Sequence, residues 1–162
     1  MARIDKENYY LDIAGTVLER STCMRRHYGA IIVHSDEILS SGYNGAPRGR
    51  KNCGDLGYCT RAAMNIPSGE RYELCRSVHA EANAIISAPR REVLGATLYM
   101  VCRDPDTGAL IPGSTSCSMC RRLIINAGIA KVVIRDTPSD YRTVDVQKEW
   151  VDEDDSVPEH LR

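Results

Sequence analysis

Apolar and small residues recur at Ile4, Leu11, Ile13, Ala14, Val17 and Leu18, a spacing that predicts an amphipathic helix over residues 5–20 with one buried face. Ser21-Thr22-Cys23 breaks that pattern. The continuous apolar run Gly29-Ala30-Ile31-Ile32-Val33 has the length of a strand, and the polar segment His34-Ser35-Asp36-Glu37 that follows reads as a turn. Ile38-Leu39-Ser40-Ser41-Gly42-Tyr43 is then the returning arm of a hairpin, closed by the turn residues Asn44-Gly45-Ala46-Pro47-Arg48-Gly49. Residues 50–76 show no period; Cys53, Cys59 and Cys75 sit there among Gly, Asn, Pro and Ser. An irregular segment of that length inside a compact domain is usually functional or tied down.

Periodicity returns at His79. From there to Ala88 the chain is alanine-rich and apolar, a buried helix stopped by Pro89. Ala96-Thr97-Leu98-Tyr99-Met100-Val101 reads as a strand buried on both faces. A loop with Pro105, Gly108, Pro112 and Gly113 leads to a second apolar helix over residues 117–127, with Gly128 as its C′ residue. Ala130-Lys131-Val132-Val133-Ile134-Arg135 is the fourth strand. A hairpin followed by two helix–strand alternations predicts an α/β domain with a mixed sheet and helices on its faces. Residues 1–140 are assigned to that domain. Residues 141–162 are read as its C-terminal helix, around Val144 to Val151 with Trp150, followed by an acidic tail from Asp152.

Bulk properties narrow the classes. A chain of 162 residues with 43% hydrophobic and 27% charged content suits one soluble domain. No apolar run is long enough for a membrane helix, and charges at Arg3, Asp5, Lys6 and Glu7 occupy the place of a secretory apolar stretch, so a cytoplasmic protein is expected. A net charge of −1 gives no general field for nucleic acid, although basic residues cluster at Arg25-Arg26, Arg48 to Lys51, Arg90-Arg91 and Arg121-Arg122. Each cluster is either a solvated face or a seat for a small phosphorylated ligand. Seven cysteines in a reducing compartment point to metal ligands or buried thiols rather than disulfides.

The chemistry concentrates in two stretches. Cys117-Ser118-Met119-Cys120 places two sulfurs three residues apart at the start of a helix, and His79-Ala80-Glu81 opens the other helix. Three such ligands leave one tetrahedral position of a zinc ion open for water, which is the catalytic rather than the structural pattern. Glu81, two residues past the histidine, supplies a carboxylate for moving protons. A histidine and glutamate in H-x-E followed by C-x-x-C is the signature of zinc deaminases.

Those motifs, with Arg25-Arg26 before the first strand, Gly42-Tyr43-Asn44-Gly45-Ala46-Pro47-Arg48-Gly49, Val78 to Ile85, and Cys117 to Gly128 leading into Val132-Val133, resemble the zinc-dependent deoxycytidylate deaminases of the cytidine deaminase-like superfamily. The likeness runs over roughly residues 8 to 136. It implies a three-layer α/β/α fold and hydrolytic deamination of dCMP to dUMP in pyrimidine nucleotide metabolism. It implies zinc held by His79, Cys117 and Cys120, with Glu81 as proton shuttle and the Ala80 N–H on the ring's 2-carbonyl. Asn44 would bond the sugar or base, and Arg26 or its neighbour Arg25 the 5′-phosphate. Asn83 either approaches the pocket or fastens the neighbouring loop. Some members carry a second, structural zinc, for which Cys23, Cys53, Cys59 and Cys75 are the candidates here; the alternative is four reduced thiols. Members also suggest a homo-oligomer, often a hexamer, regulated by dCTP and dTTP. Gly42, Tyr43, Gly45 and Arg48 resemble the effector-binding segment, or else form a tight turn. One departure stands out: Ser116 occupies a position where most of the superfamily has proline, and its hydroxyl is expected to cap the following helix. Competing readings are a deaminase of CMP or free (deoxy)cytidine, a nucleic-acid base deaminase, and a non-catalytic zinc-stabilised binding protein.

Overall fold

Successive residues of a strand point to opposite sides of its sheet, and here each side has its own helical cover. The computed structural model describes all 162 residues. Helix α1 (Lys6–Val17) is capped by Asp5, whose carboxylate accepts from the Asn8 backbone N–H at 2.9 Å. The hairpin follows as β1 (His27–His34) and β2 (Glu37–Tyr43), joined through Ser35 and Asp36, both at positive φ, with a register shift between Ile32 and Val33. The aperiodic stretch contains the short helices α2 (Cys53–Leu56) and α3 (Thr60–Ala63) and a 3-10 turn, Tyr72–Leu74. Helix α4 (Ala80–Ile86), the short α5 (Arg90–Val93), strand β3 (Thr97–Arg103), helix α6 (Ser118–Ala127) and strand β4 (Lys131–Arg135) complete the expected alternation.

The sheet order is β2-β1-β3-β4, extended by a fifth strand, β5 (Tyr141–Asp145). Only β3 and β4 run parallel, so the sheet is mixed. On one face Ala30, Ile32, Leu98, Met100, Val132 and Ile134 pack against Ala80 and Ala84 of α4 and Ile124 and Ala127 of α6. On the other Ile31, Val33, Tyr99, Val101 and Val133 meet Tyr10, Leu11 and Ala14 of α1. The result is the three-layer α/β/α arrangement.

Strand β5 is absent from the sequence reading for a physical reason. It is an edge strand in which Val144 alone is buried, so it carries no alternation to detect. The expected terminal helix is confined to a π-helical segment, Val146–Asp152, opened by a reciprocal cap in which Asp145 accepts from the Lys148 N–H and Glu149 accepts from the Asp145 N–H. Gly128, at φ 80°, ends α6 as expected. No helix is long and apolar enough to cross a membrane.

Candidate metal centre and its cavity

Two helix starts meet above the buried strands. His79 is the N-cap residue of α4 and Cys117 that of α6, both with extended backbone, while Cys120 lies within the first turn of α6. Unbonded N–H groups at such starts favour anionic partners. Packing brings α4 in tightly. A Cβ on Gly42 of β2 would stand 2.3 Å from the Ala80 carbonyl oxygen and 2.4 Å from the Ala84 nitrogen, so only glycine lets the helix lie this close.

The Nδ1 of His79 is 3.5 Å from the sulfur of Cys117 and 3.5 Å from that of Cys120. The three ligand atoms lie within 4.8 Å of one another, the one group of three or more in the chain that does so. A tetrahedral zinc with Zn–N near 2.1 Å and Zn–S near 2.3 Å needs an N···S edge of about 3.6 Å, so the donor set fits zinc. Protonation behaviour agrees. The hydrogen bond from Cys120, then the nearby His79, hold Cys117 well below the usual thiol range. The same pairing, with burial and the Glu81 charge, pushes Cys120 up. Burial opposes charge on the His79 ring, but Cys117, Cys75 and Glu81 outweigh it and hold its pKa up to about 10. Two thiols, an imidazole and a carboxyl thus perturb one another at a single point. The family model described below covers a zinc-binding region, and zinc is the metal that this His/Cys/Cys set takes.

Glu81 is 3% exposed, and burial holds its carboxyl above the ordinary range. It borders a cavity of about 460 Å³ that also reaches His79, Cys117 and Ser116. That volume suits a small molecule. Four arginines, Arg25, Arg26, Arg61 and Arg121, line the cavity, and Glu81 is the single carboxylate among its walls.

The other sequence candidates separate. Asn44 lines the cavity and is 5% exposed; its Oδ1 accepts from the Tyr28 N–H at 2.8 Å and the Ser21 hydroxyl at 2.5 Å, and its Nδ2 donates to the Arg26 carbonyl at 2.8 Å. One amide hydrogen remains for a ligand. Ala80 opens α4 beside the metal ligands. Asn83 lies outside the cavity lining and donates to the Tyr43 carbonyl at 2.8 Å, fastening the end of β2 to α4. Gly42 and Gly45 are accounted for by close packing, Gly45 against Thr22. Cys23, Cys59 and Cys75 line the cavity wall and Cys53 is buried near them, but no three of these sulfurs lie within 4.8 Å of one another.

Ser116 does not cap α6. Cys117 takes the N-cap place, which leaves Ser116 one residue earlier and 1% exposed. Its hydroxyl faces the Met100 sulfur at 3.9 Å and lies close enough to Glu81 to temper that carboxyl's rise. Arg121 supplies what a proline ring would otherwise stiffen: its Nε donates to the Ser116 carbonyl at 3.1 Å. In the sequence Arg121 was one half of a basic pair, with nothing to mark it; Arg61 and Tyr72 were equally silent.

The chain matches the family model described as the cytidine and deoxycytidylate deaminase zinc-binding region over residues 4–136. It is 37% identical over 138 residues to the deoxycytidylate deaminase of Mycobacterium phage D29, covering 82% of this chain and 96% of the phage protein. To the deoxycytidylate deaminase of Schizosaccharomyces pombe it is 33% identical over 127 residues, covering 78% of this chain and 36% of the yeast protein. It thus spans nearly all of the first relative and about a third of the second. Among solved structures, the dCMP deaminase of cyanophage S-TIM5 in complex with dCMP and dUMP shares the fold, with TM-score 0.55 and 24% identity over 83% of this chain and 85% of that one.

Proposed function

The chain belongs to the zinc-binding cytidine and deoxycytidylate deaminase family, and we propose from that premise that it hydrolyses dCMP to dUMP and ammonia. The observation that carries this reading is the buried carboxylate of Glu81 beside the three-ligand centre, facing a cavity walled by arginines. When bound, zinc supplies a Lewis acid that makes water nucleophilic at neutral pH. Glu81, held above the ordinary carboxylate range by burial, is suited to take the proton of the attacking water. It passes that proton to ring N3, then takes the remaining proton from the new C4 hydroxyl and gives it to the departing 4-amino group, so that water and dCMP balance against dUMP and ammonia. The backbone N–H of Ala80 holds the 2-carbonyl, the remaining Asn44 amide hydrogen bonds the sugar, and Arg26, whose carbonyl Asn44 fixes, meets the 5′-phosphate.

The cavity's size and the chain's net charge of −1 favour a mononucleotide over a strand of nucleic acid. Two finer points belong to the same proposal. One zinc is catalytic, and a second at Cys23, Cys53, Cys59 and Cys75 requires those thiols to close in; metal analysis giving a single zinc per folded chain removes it. The enzyme is a homo-oligomer, a hexamer by family resemblance, supported by exposed Ile86, Leu94 and Leu123 on its helical layers. Regulation by dCTP and dTTP would act through Gly42 to Arg48, because β2 is fastened to the helix carrying Glu81; an unchanged rate curve with dCTP counts against it.

The test is ammonia release by purified zinc-loaded protein from dCMP, CMP, deoxycytidine and cytidine. Release from dCMP foremost is expected. No release from any of the four sinks the reading.

A further inference from the structure

The aperiodic stretch between the hairpin and α4 has one feature that neither the metal centre nor the core explains. Arg61, in α3, reaches the cavity wall, and its Nε is buried without a hydrogen-bond partner. A buried donor with nothing to bond is costly and is rare in folded chains. The rest of the guanidinium is well fixed. Its Nη2 donates to the carbonyls of Pro67 and Glu70, and its plane lies over the Tyr72 ring at 4.3 Å. Tyr72 in turn meets the His79 ring edge-on at 5.3 Å. Two ring contacts therefore connect the guanidinium to a ligand of the metal centre.

The other three arginines on the cavity differ. Arg121 is occupied by Asp155 and the Ser116 carbonyl, Arg26 donates to the Arg25 carbonyl, and none of the three has a buried donor left unbonded. With Glu81 the sole carboxylate on the wall, the cavity favours an anion away from the metal. A guanidinium fixed in this way pays little ordering entropy when it binds one.

The geometry points to Arg61 as a second contact for the 5′-phosphate, joining Arg26 on the same cavity wall and setting specificity for it, presented by a loop whose carbonyls lock it in place. This rests on the proposed cytosine-nucleotide reading of the same cavity. It gives the irregular stretch a purpose: the segment from Cys59 to Cys75 separates nucleotides from nucleosides.

The experiment compares wild type with Arg61→Gln and Arg61→Lys, all checked for equal zinc content. For dCMP, Arg61→Gln is expected to raise KM about tenfold or more, exceeding any fall in kcat, because the phosphate bond is lost alike from ground and transition states. Arg61→Lys restores part of that rise by keeping the charge. Calorimetric binding of dUMP gives a second reading that needs no turnover, with the same weakening expected in Arg61→Gln. An unchanged KM and dUMP affinity, or a fall in kcat that matches or exceeds the rise in KM, overturns the assignment. Absence of ammonia release with Arg61-dependent dUMP binding intact would instead overturn the reaction and leave the phosphate contact standing.

Discussion

Arg121 donates its Nε to the carbonyl of Ser116 at 3.1 Å, so a side chain from inside α6 braces the residue that precedes the helix's first metal ligand. The same guanidinium lies 5.0 Å from the Trp150 ring centre and pairs with Asp155 at 3.0 Å. One arginine thus joins the metal loop, the π-helical segment and the acidic tail.

Arg121→Ala should cost about 1–3 kcal/mol in urea unfolding, since it strands a buried carbonyl and removes packing on Trp150. Asp155→Asn should cost under about 0.5 kcal/mol, because the carboxylate is largely exposed and such pairs contribute little. Equal losses in the two variants would show that the tail contact, not the loop brace, matters.

Gly42→Ala should destabilise by roughly 1–3 kcal/mol through overpacking, because backbone atoms of α4 stand in the place of its Cβ. As α4 carries His79 at its N-cap, zinc affinity should fall with stability. A zinc titration matching wild type in a destabilised variant would separate the two.

Asn83→Ala removes the bond to the Tyr43 carbonyl. A loss of about 1 kcal/mol in stability is expected, with KM for dCMP held near wild type. A rise in KM without loss of stability would instead put the Asn83 amide on the substrate.

Burial holds the Glu81 carboxyl above its ordinary value of 4.5, so the zinc-free native chain binds that proton more tightly than the unfolded chain. This contribution favours the fold below the unfolded value and is lost as pH rises through the raised folded one. Zinc-free Glu81→Gln should therefore melt higher than zinc-free wild type, by a margin that opens as pH climbs from about 4.5. Melting curves with a margin independent of pH would contradict it.

The metal centre was legible because it depends on short spacings. Cys117 and Cys120 share a turn, His79 and Glu81 share another, and each pair opens a helix whose apolar pattern is plain. Strands β1, β3 and β4 were legible because they are buried along nearly their whole length. Strand β5 pairs with β4 while exposing most of its side chains, so tertiary pairing alone reveals it. The roles of Arg121 and Arg61 depend on contacts that close only in the fold, at Ser116 and Trp150 for one and at Tyr72 and the Pro67 to Glu70 turn for the other. Asn83 showed one side of a choice that only its bond to Tyr43 could inform.

The most direct measurement is ammonia release from dCMP by zinc-loaded wild type and Glu81→Gln, with bound zinc quantified in both. Wild type should release ammonia, and Glu81→Gln should lose at least about a hundredfold in kcat while keeping its zinc. Full activity in Glu81→Gln, or none in wild type with zinc bound, would contradict a reaction driven by this carboxylate at this centre.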